Sequence, residues 1–278
     1  MTAEPMKYAK DILKKVSRSF ALTIPMLDAE IKDEVLLAYL QDRILDNFED
    51  EIHPPDLKLQ REMMDRISRI FSPVDYDRSS DFEVIKEASS LIEKDSLKEL
   101  TKNIDLVYQS YQSFEPEIQK ISHKWLEEMN QGMQKYLAKE VRTFAELDEY
   151  CYYVAGTVGG FLTETIIYKF EIKEQNTKIL LDNFNQAGLF LQKVNLIRDI
   201  REDLKSRDKH FWPLKDLGIS ESELRDPAFE EKALTALAEM IRDLETHIPA
   251  LKEYYQALPN ELKGYKRFFA VNNALGMA

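Results

Sequence analysis

Two acid triplets of one form, acid-x-x-acid-acid, sit far apart in the chain: Asp46, Glu49 and Asp50 in RILDNFEDE, and Asp199, Glu202 and Asp203 in NLIRDIREDLKSRDKHFWP. On a helix, positions three and four apart share a face. Stepping back from Asp50 therefore meets Asp46, Arg43 and Tyr39, and the second segment repeats the arrangement with Gln192, Asn195, Asp199 and Asp203. Carboxylate oxygens in number, without His or Cys beside them, suit Mg²⁺, which is commonly held by a few carboxylates together with substrate phosphates. The four histidines show no zinc spacing. If the two stripes face each other, they enclose a carboxylate-lined cavity for Mg²⁺ and a diphosphate. If they do not, each is the solvated face of an amphipathic helix.

Spacing alone is weak evidence. With 50 acids among 278 residues, the pattern should arise by chance roughly once or twice. A third instance, Glu30, Asp33 and Glu34, falls in the first turns of its helix, where acids oppose the macrodipole. It reads as solvated. What sets the other two apart is the apolar company on their helices, Leu36, Leu37, Leu40, Ile44, Leu45 and Phe48 in one case and Leu189, Phe190, Leu191 and Val194 in the other, plus an arginine beside each, Arg43 and Arg198.

The elements that must carry these residues are helices. Only eight glycines occur, and helix-period apolar patterns fill nearly every segment between prolines. The pattern predicts helices to about residue 16, from about 28 to before 53, from 56 to 72, then over 83–113, 116–140, 145–170 and 176–205, with shorter ones after that. SPVDYDRSSD is the most loop-like run. No composition shift divides the chain, so residues 1–278 read as one domain, large enough to bury a cavity.

The charge balance, 38 basic against 50 acidic residues, net −12, lacks the footprint of a nucleic-acid binder. Cys151 is the single cysteine and cannot form an internal disulfide. No export signal or membrane-spanning run is evident, which points to a cytosolic setting and leaves attachment to a membrane surface open. Cys151 reads as a buried thiol. GTVGG at 156–160 lacks nucleotide-loop spacing, and its glycines are better suited to close helix or substrate approach. Tyr150, taken alone, reads as a core aromatic.

Three blocks carry a resemblance: SRSF with YLQDRILDNFEDE, then YCYYVAGTVGGFL, then GLFLQKVNLIRDIREDLKSRDKHFWP. Together they resemble the squalene/phytoene synthase family of head-to-head prenyl synthases, and FLQK-N-IRD followed by FWP is similar to its squalene-forming branch. The likeness runs from about Ser17 to the end and is poorest over 52–140. It implies an all-α, single-domain helical bundle of the class I isoprenoid synthase type with a central cavity. It also implies two metal motifs, Asp46, Glu49 and Asp50 in the first and Asp199 and Asp203 in the second, holding Mg²⁺ against two farnesyl diphosphates.

By the same resemblance Arg18, Tyr39, Arg43, Asn195 and Arg198 fall where the family contacts diphosphate or NADPH, within surroundings that include Ser17, Ser19, Phe20 and Gln192. Tyr150 matches the tyrosine to which the family assigns proton handling. The implied reaction forms presqualene diphosphate and then reduces it with NADPH to squalene. Val271-Asn272-Asn273 departs from the family's segment at that place, and relatives usually continue with a further helical segment. Same-family alternatives stop at presqualene diphosphate or make dehydrosqualene or phytoene without NADPH. A non-catalytic lipid-binding or scaffold module is the alternative from another class.

Overall fold

The computed structural model describes residues 3–52, 54–206 and 211–277, with the side chains of Ala3, Glu202 and Ser206 outside the description. The described residues form helices and connecting turns, with no strand among them. In chain order these are α1 (Ala3–Val16), α2 (Ser19–Thr23), α3 (Lys32–Asp50), α4 (Leu57–Ile70), α5 (Ser79–Ala88), α6 (Asp95–Lys102), α7 (Ile104–Tyr111) and α8 (Pro116–Tyr136). Then follow α9 (Phe144–Cys151), α10 (Thr157–Lys169), α11 (Glu174–Ser206), α12 (Leu214–Leu217), α13 (Glu221–Arg225), α14 (Glu230–Glu245), α15 (Ile248–Ala257) and α16 (Lys263–Met277). No helix among the described residues is long and apolar enough to cross a membrane.

Local chemistry accounts for several boundaries. Asp56 caps α4 by accepting from the Lys58 and Leu59 amides, Pro116 opens α8, and Thr143 with Glu146 makes a reciprocal capping box at α9. Asp28, expected near the start of a long helix, instead lies outside α3. Its carboxylate accepts from the amides of Gly264 (3.0 Å) and Tyr265 (2.8 Å), so it caps α16 across the fold. A side chain at Gly264 would meet the Asp28 amide nitrogen at 2.4 Å, which is why glycine stands there.

Three expectations change. The helix expected over 83–113 is divided into α5, α6 and α7. The hydroxyls of Ser89 and Ser90 donate back to the carbonyls of Lys86 and Glu87, and Ile92 turns extended, a local competition that ends helices. The helix expected over 145–170 holds a π turn at Tyr152–Gly156 between α9 and α10. There the backbones of two elements touch: a Cβ at Gly159 would meet the Phe184 carbonyl oxygen at 2.1 Å, and one at Gly188 would meet that of Ala155 at 2.3 Å. The 156–160 glycines thus serve close helix approach, as anticipated.

The third change concerns the acid triplet set aside as solvated. Glu30 is exposed, but Glu34 is largely covered and pairs with Lys169 at 3.3 Å, which also pairs with Glu115. Asp33 pairs with Lys10. Glu34 is a tether between α3 and the end of α10. The loop-like run at 72–78 is likewise ordered from within, because buried Arg78 donates to the carbonyls of Ile70, Ser72, Val74 and Tyr76.

The apolar side chains form two adjoining cores. The larger is built on α3 and the helices packed against it. The second gathers Tyr136, Leu147, Tyr150, Cys151, Leu189, Leu196, Phe211, Trp212 and Met240. α3 and α11 share no extensive interface with each other; α8, α10 and the π turn lie between them.

Candidate active site

Ser17–Phe20 turns the chain from α1 into α2 and lies against the middle of α3. The Ser17 hydroxyl accepts from the Phe20 amide at 3.1 Å, and the Phe20 ring meets Tyr39 at 5.0 Å between centroids. Tyr39 donates to the Val16 carbonyl at 3.4 Å. One turn further along α3, the Arg43 guanidinium pairs with the Asp46 carboxylate. Ser17, Phe20, Tyr39, Arg43 and Asp46 are therefore brought together. Arg18 and Ser19 expose their side chains on the outer side of this turn.

Glu49 and Asp50 continue the α3 stripe toward α9. Tyr150 stands beside them. Burial, followed by the negative charges of Glu49, Asp50 and Asp46, holds the Tyr150 hydroxyl well above its ordinary range. Its ring is stacked on Phe211 at 3.9 Å and edge-on to Tyr136 at 5.3 Å. A phenol in that setting keeps its proton at neutral pH and can act as a donor or relay. The residue lies at the last turn of α9, immediately before the π turn, a distortion that recurs at functional sites.

The aromatic stop after the second motif links the two stripes. Phe211 covers Tyr150, and the indole of Trp212 donates to the Leu196 carbonyl on α11 at 2.9 Å. On α11, Asn195 and Arg198 are exposed, Gln192 and Asp199 are half-buried and Asp203 is buried. Arg198 grips Asp199 with two bonds, Nε to Oδ1 at 2.7 Å and a terminal nitrogen to Oδ2 at 2.6 Å. Glu202, the middle acid of the triplet, lies outside the described side chains, as do Arg207 to His210.

Asp42 stands outside both acid triplets, yet it sits four residues before Asp46 and so on the same stripe, a spacing legible in the sequence. Asp42 keeps part of its surface open, yet protein surrounds it, and burial followed by the charge of Asp46 pushes its carboxyl up to about 8. It lines a cavity of ≈ 10 Å³ with Ala38, Ser122, Trp125, Met129 and Phe161 among the walls. That is about the room one water needs.

A second group, Asp148, Asp243 and His247, places three potential metal ligands within 4.8 Å of one another. The Lys193 ammonium lies 2.5 Å from each carboxylate and supplies the positive charge there. Histidine spacing does not reveal the grouping, because Asp148 on α9 joins Asp243 on α14 and His247 in the turn after it only in the fold.

A family model described as squalene/phytoene synthase matches residues 13–278. Squalene synthase of Solanum lycopersicum is 34% identical over 247 residues, covering 85% of this chain and 55% of that protein. Squalene synthase of Cyberlindnera jadinii is 30% identical over 278 residues, covering 96% and 59% respectively. An Arabidopsis thaliana protein named inactive squalene synthase 2 is 33% identical over 250 residues, covering 87% and 56%. The chain spans 49% to 61% of the length of such curated relatives.

A solved structure of TcSQS with the ligand BPH1237 superposes with a TM-score of 0.85 at 29% identity, covering 99% of this chain and 77% of that one. A dehydrosqualene synthase structure superposes with a TM-score of 0.61 at 17% identity, a likeness of fold alone. The all-helical architecture is that of the isoprenoid synthases. By the family match over nearly its whole length, this chain belongs to the squalene/phytoene synthase family.

Proposed function

We propose that this chain joins two farnesyl diphosphates head to head through presqualene diphosphate and reduces that product to squalene with NADPH. The observation that carries the reading is the meeting of Asp46, Glu49 and Asp50 with the buried Tyr150 hydroxyl, in a chain of this family. The donor set fits Mg²⁺. Carboxylate oxygens outnumber the Arg43 guanidinium, and after burial it is their negative charge that raises Asp42 and Tyr150. Held by Asp46, Glu49 and Asp50 and by Asp199 and Asp203, Mg²⁺ would neutralise charge on the departing diphosphate, a contribution of several kcal/mol.

The chain's own groups have separate tasks. Arg43, beside Tyr39 and the Ser17 turn, offers a planar donor array to a diphosphate oxygen. Arg198, already held by Asp199, offers another from α11, with Asn195 and Gln192 along the same helix. The Phe20 ring can face a passing allylic cation, an interaction of roughly 0.5–2 kcal/mol. Tyr150 is protonated, so it relays: it accepts the proton lost on ring closure while passing its own to an acceptor oxygen. Phe211, Tyr136 and Trp212 keep water from that hydroxyl, which matters because water would quench a carbocation. Arg18, exposed at the turn before α2, is suited to an anionic cofactor such as NADPH. The reading includes contact with a membrane surface, since substrate and product are lipids.

Product analysis tests all of this. Purified protein with Mg²⁺ and farnesyl diphosphate should release diphosphate and accumulate presqualene diphosphate, and NADPH should convert it to squalene. A desaturated C30 product without NADPH, or a C40 product from geranylgeranyl diphosphate, moves the chain to the carotenoid-forming branch. No diphosphate release at all favours a non-catalytic role, for which one relative is named inactive.

A further inference from the structure

One residue past Gln192 on α11, Lys193 is completely buried. Its ammonium meets Asp148 Oδ1 on α9 at 2.5 Å, Asp243 Oδ2 on α14 at 2.5 Å and the Nε2 of His247, just ahead of α15, at 2.8 Å. His247 Nδ1 lies 2.7 Å from the Gln186 Oε1 on α11. A carboxamide oxygen only accepts, so Nδ1 carries the proton and Nε2 turns its lone pair to the lysine. Burial, and then the Lys193 charge, lower the His247 pKa, in keeping with a neutral ring.

The grouping resembles a metal site whose ion is a side chain. An ammonium this deep is tolerated only where carboxylates answer it, and here they come from two other helices. Lys193 therefore ties α9 and α14 to α11. Asp148 lies two residues before Tyr150, on the same last turn of α9. We propose that Lys193 is a positioning residue, an internal cation that clamps α9 to α11 and so sets the Tyr150 hydroxyl against the acid stripe of α3. The proposal rests on the reading of Tyr150 as the proton-handling residue.

Two readouts test it. Cys151, next to Tyr150, is fully buried, so its labelling by a thiol reagent reports opening of the end of α9 whether or not the enzyme turns over. Lys193→Met should speed labelling by roughly tenfold or more, at a rate insensitive to low urea, the mark of local opening. It should also lower kcat for presqualene diphosphate formation by about 10²-fold with little change in KM, the size of effect expected of a misplaced group. In a Tyr150→Phe background Lys193→Met should cost little more.

Unchanged Cys151 labelling, or the same kcat loss in both backgrounds, overturns the clamp. A wild-type protein inert toward farnesyl diphosphate sinks the proposed function instead, and Cys151 labelling then decides the clamp alone. Should the methionine variant fail to fold, Lys193→Ala refilled with ethylammonium serves. Recovery of Cys151 protection supports the proposal, and failure to recover it overturns the proposal.

Discussion

Asp42→Asn is expected to stabilise the protein at neutral and alkaline pH, although Asp42 lies in the middle of the acid stripe. Burial and the charge of Asp46 raise its carboxyl from 3.8 to about 8. Between those values the folded state holds a proton that the unfolded chain has released, so folding stability falls as pH rises through the window and levels off above about 8. A shift of that size corresponds to at most about 6 kcal/mol. Part of the carboxyl faces open space, which cuts the figure to roughly 2–3 kcal/mol.

Asparagine keeps the shape and cannot ionise. The variant should therefore unfold roughly 4–8 °C above the wild type at pH 8, and the gap should nearly close by pH 4. Thermal unfolding followed by circular dichroism between pH 4 and 8.5, in buffer free of divalent metal, measures it. A gap that does not change with pH, or an asparagine variant less stable at pH 8, refutes the assignment of Asp42 as a buried neutral acid.

Asp50→Asn and Asp203→Asn should each abolish most turnover of farnesyl diphosphate while far-UV circular dichroism is unchanged; an active variant of either would remove that residue from the metal-holding set. Glu34→Gln breaks a largely covered ion pair with Lys169. It should lower stability by about 1–2 kcal/mol with kcat intact, and a turnover loss as deep as that of Asp50→Asn would refute the division between tether and site. Tyr150→Phe keeps the ring stacked on Phe211 but removes the relay, so presqualene diphosphate formation should slow by roughly 10²- to 10⁴-fold; an unchanged rate returns Tyr150 to the core. Gly188→Ala drives a methyl into the Ala155 carbonyl, 2.3 Å away. A loss of about 1–3 kcal/mol in denaturant unfolding is expected, and none would mean that the helices are free to part.

The residues that local rules govern could be read in advance. Helical periodicity places Tyr39, Arg43, Asp46 and Asp50 on one face of α3 and Asn195, Asp199 and Asp203 on one face of α11, because the 3.6-residue repeat needs no tertiary information. Pro116 at the start of α8 was legible for the same reason. Asp42, too, stood in register with Asp46; what the spacing could not show was its neutral state, which depends on desolvation by walls contributed by α8 and α10.

Tertiary structure decided the rest. Local pattern puts Asp28 at a helix start and leaves Glu34 solvated, but in the fold Asp28 caps α16 and Glu34 is a tether, because the partner of each lies more than a hundred residues away. The meeting of Tyr150 with Glu49, and of Lys193 with Asp148 and Asp243, joins side chains from separate helices, and no pattern within one helix encodes which neighbour it will pack against. Packing also brings α11 against the π turn and α10, where Gly188 and Gly159 let backbones touch. Charge and proton affinity follow from these approaches, since the energy of a buried group is set by what surrounds it in space and not by its position along the chain.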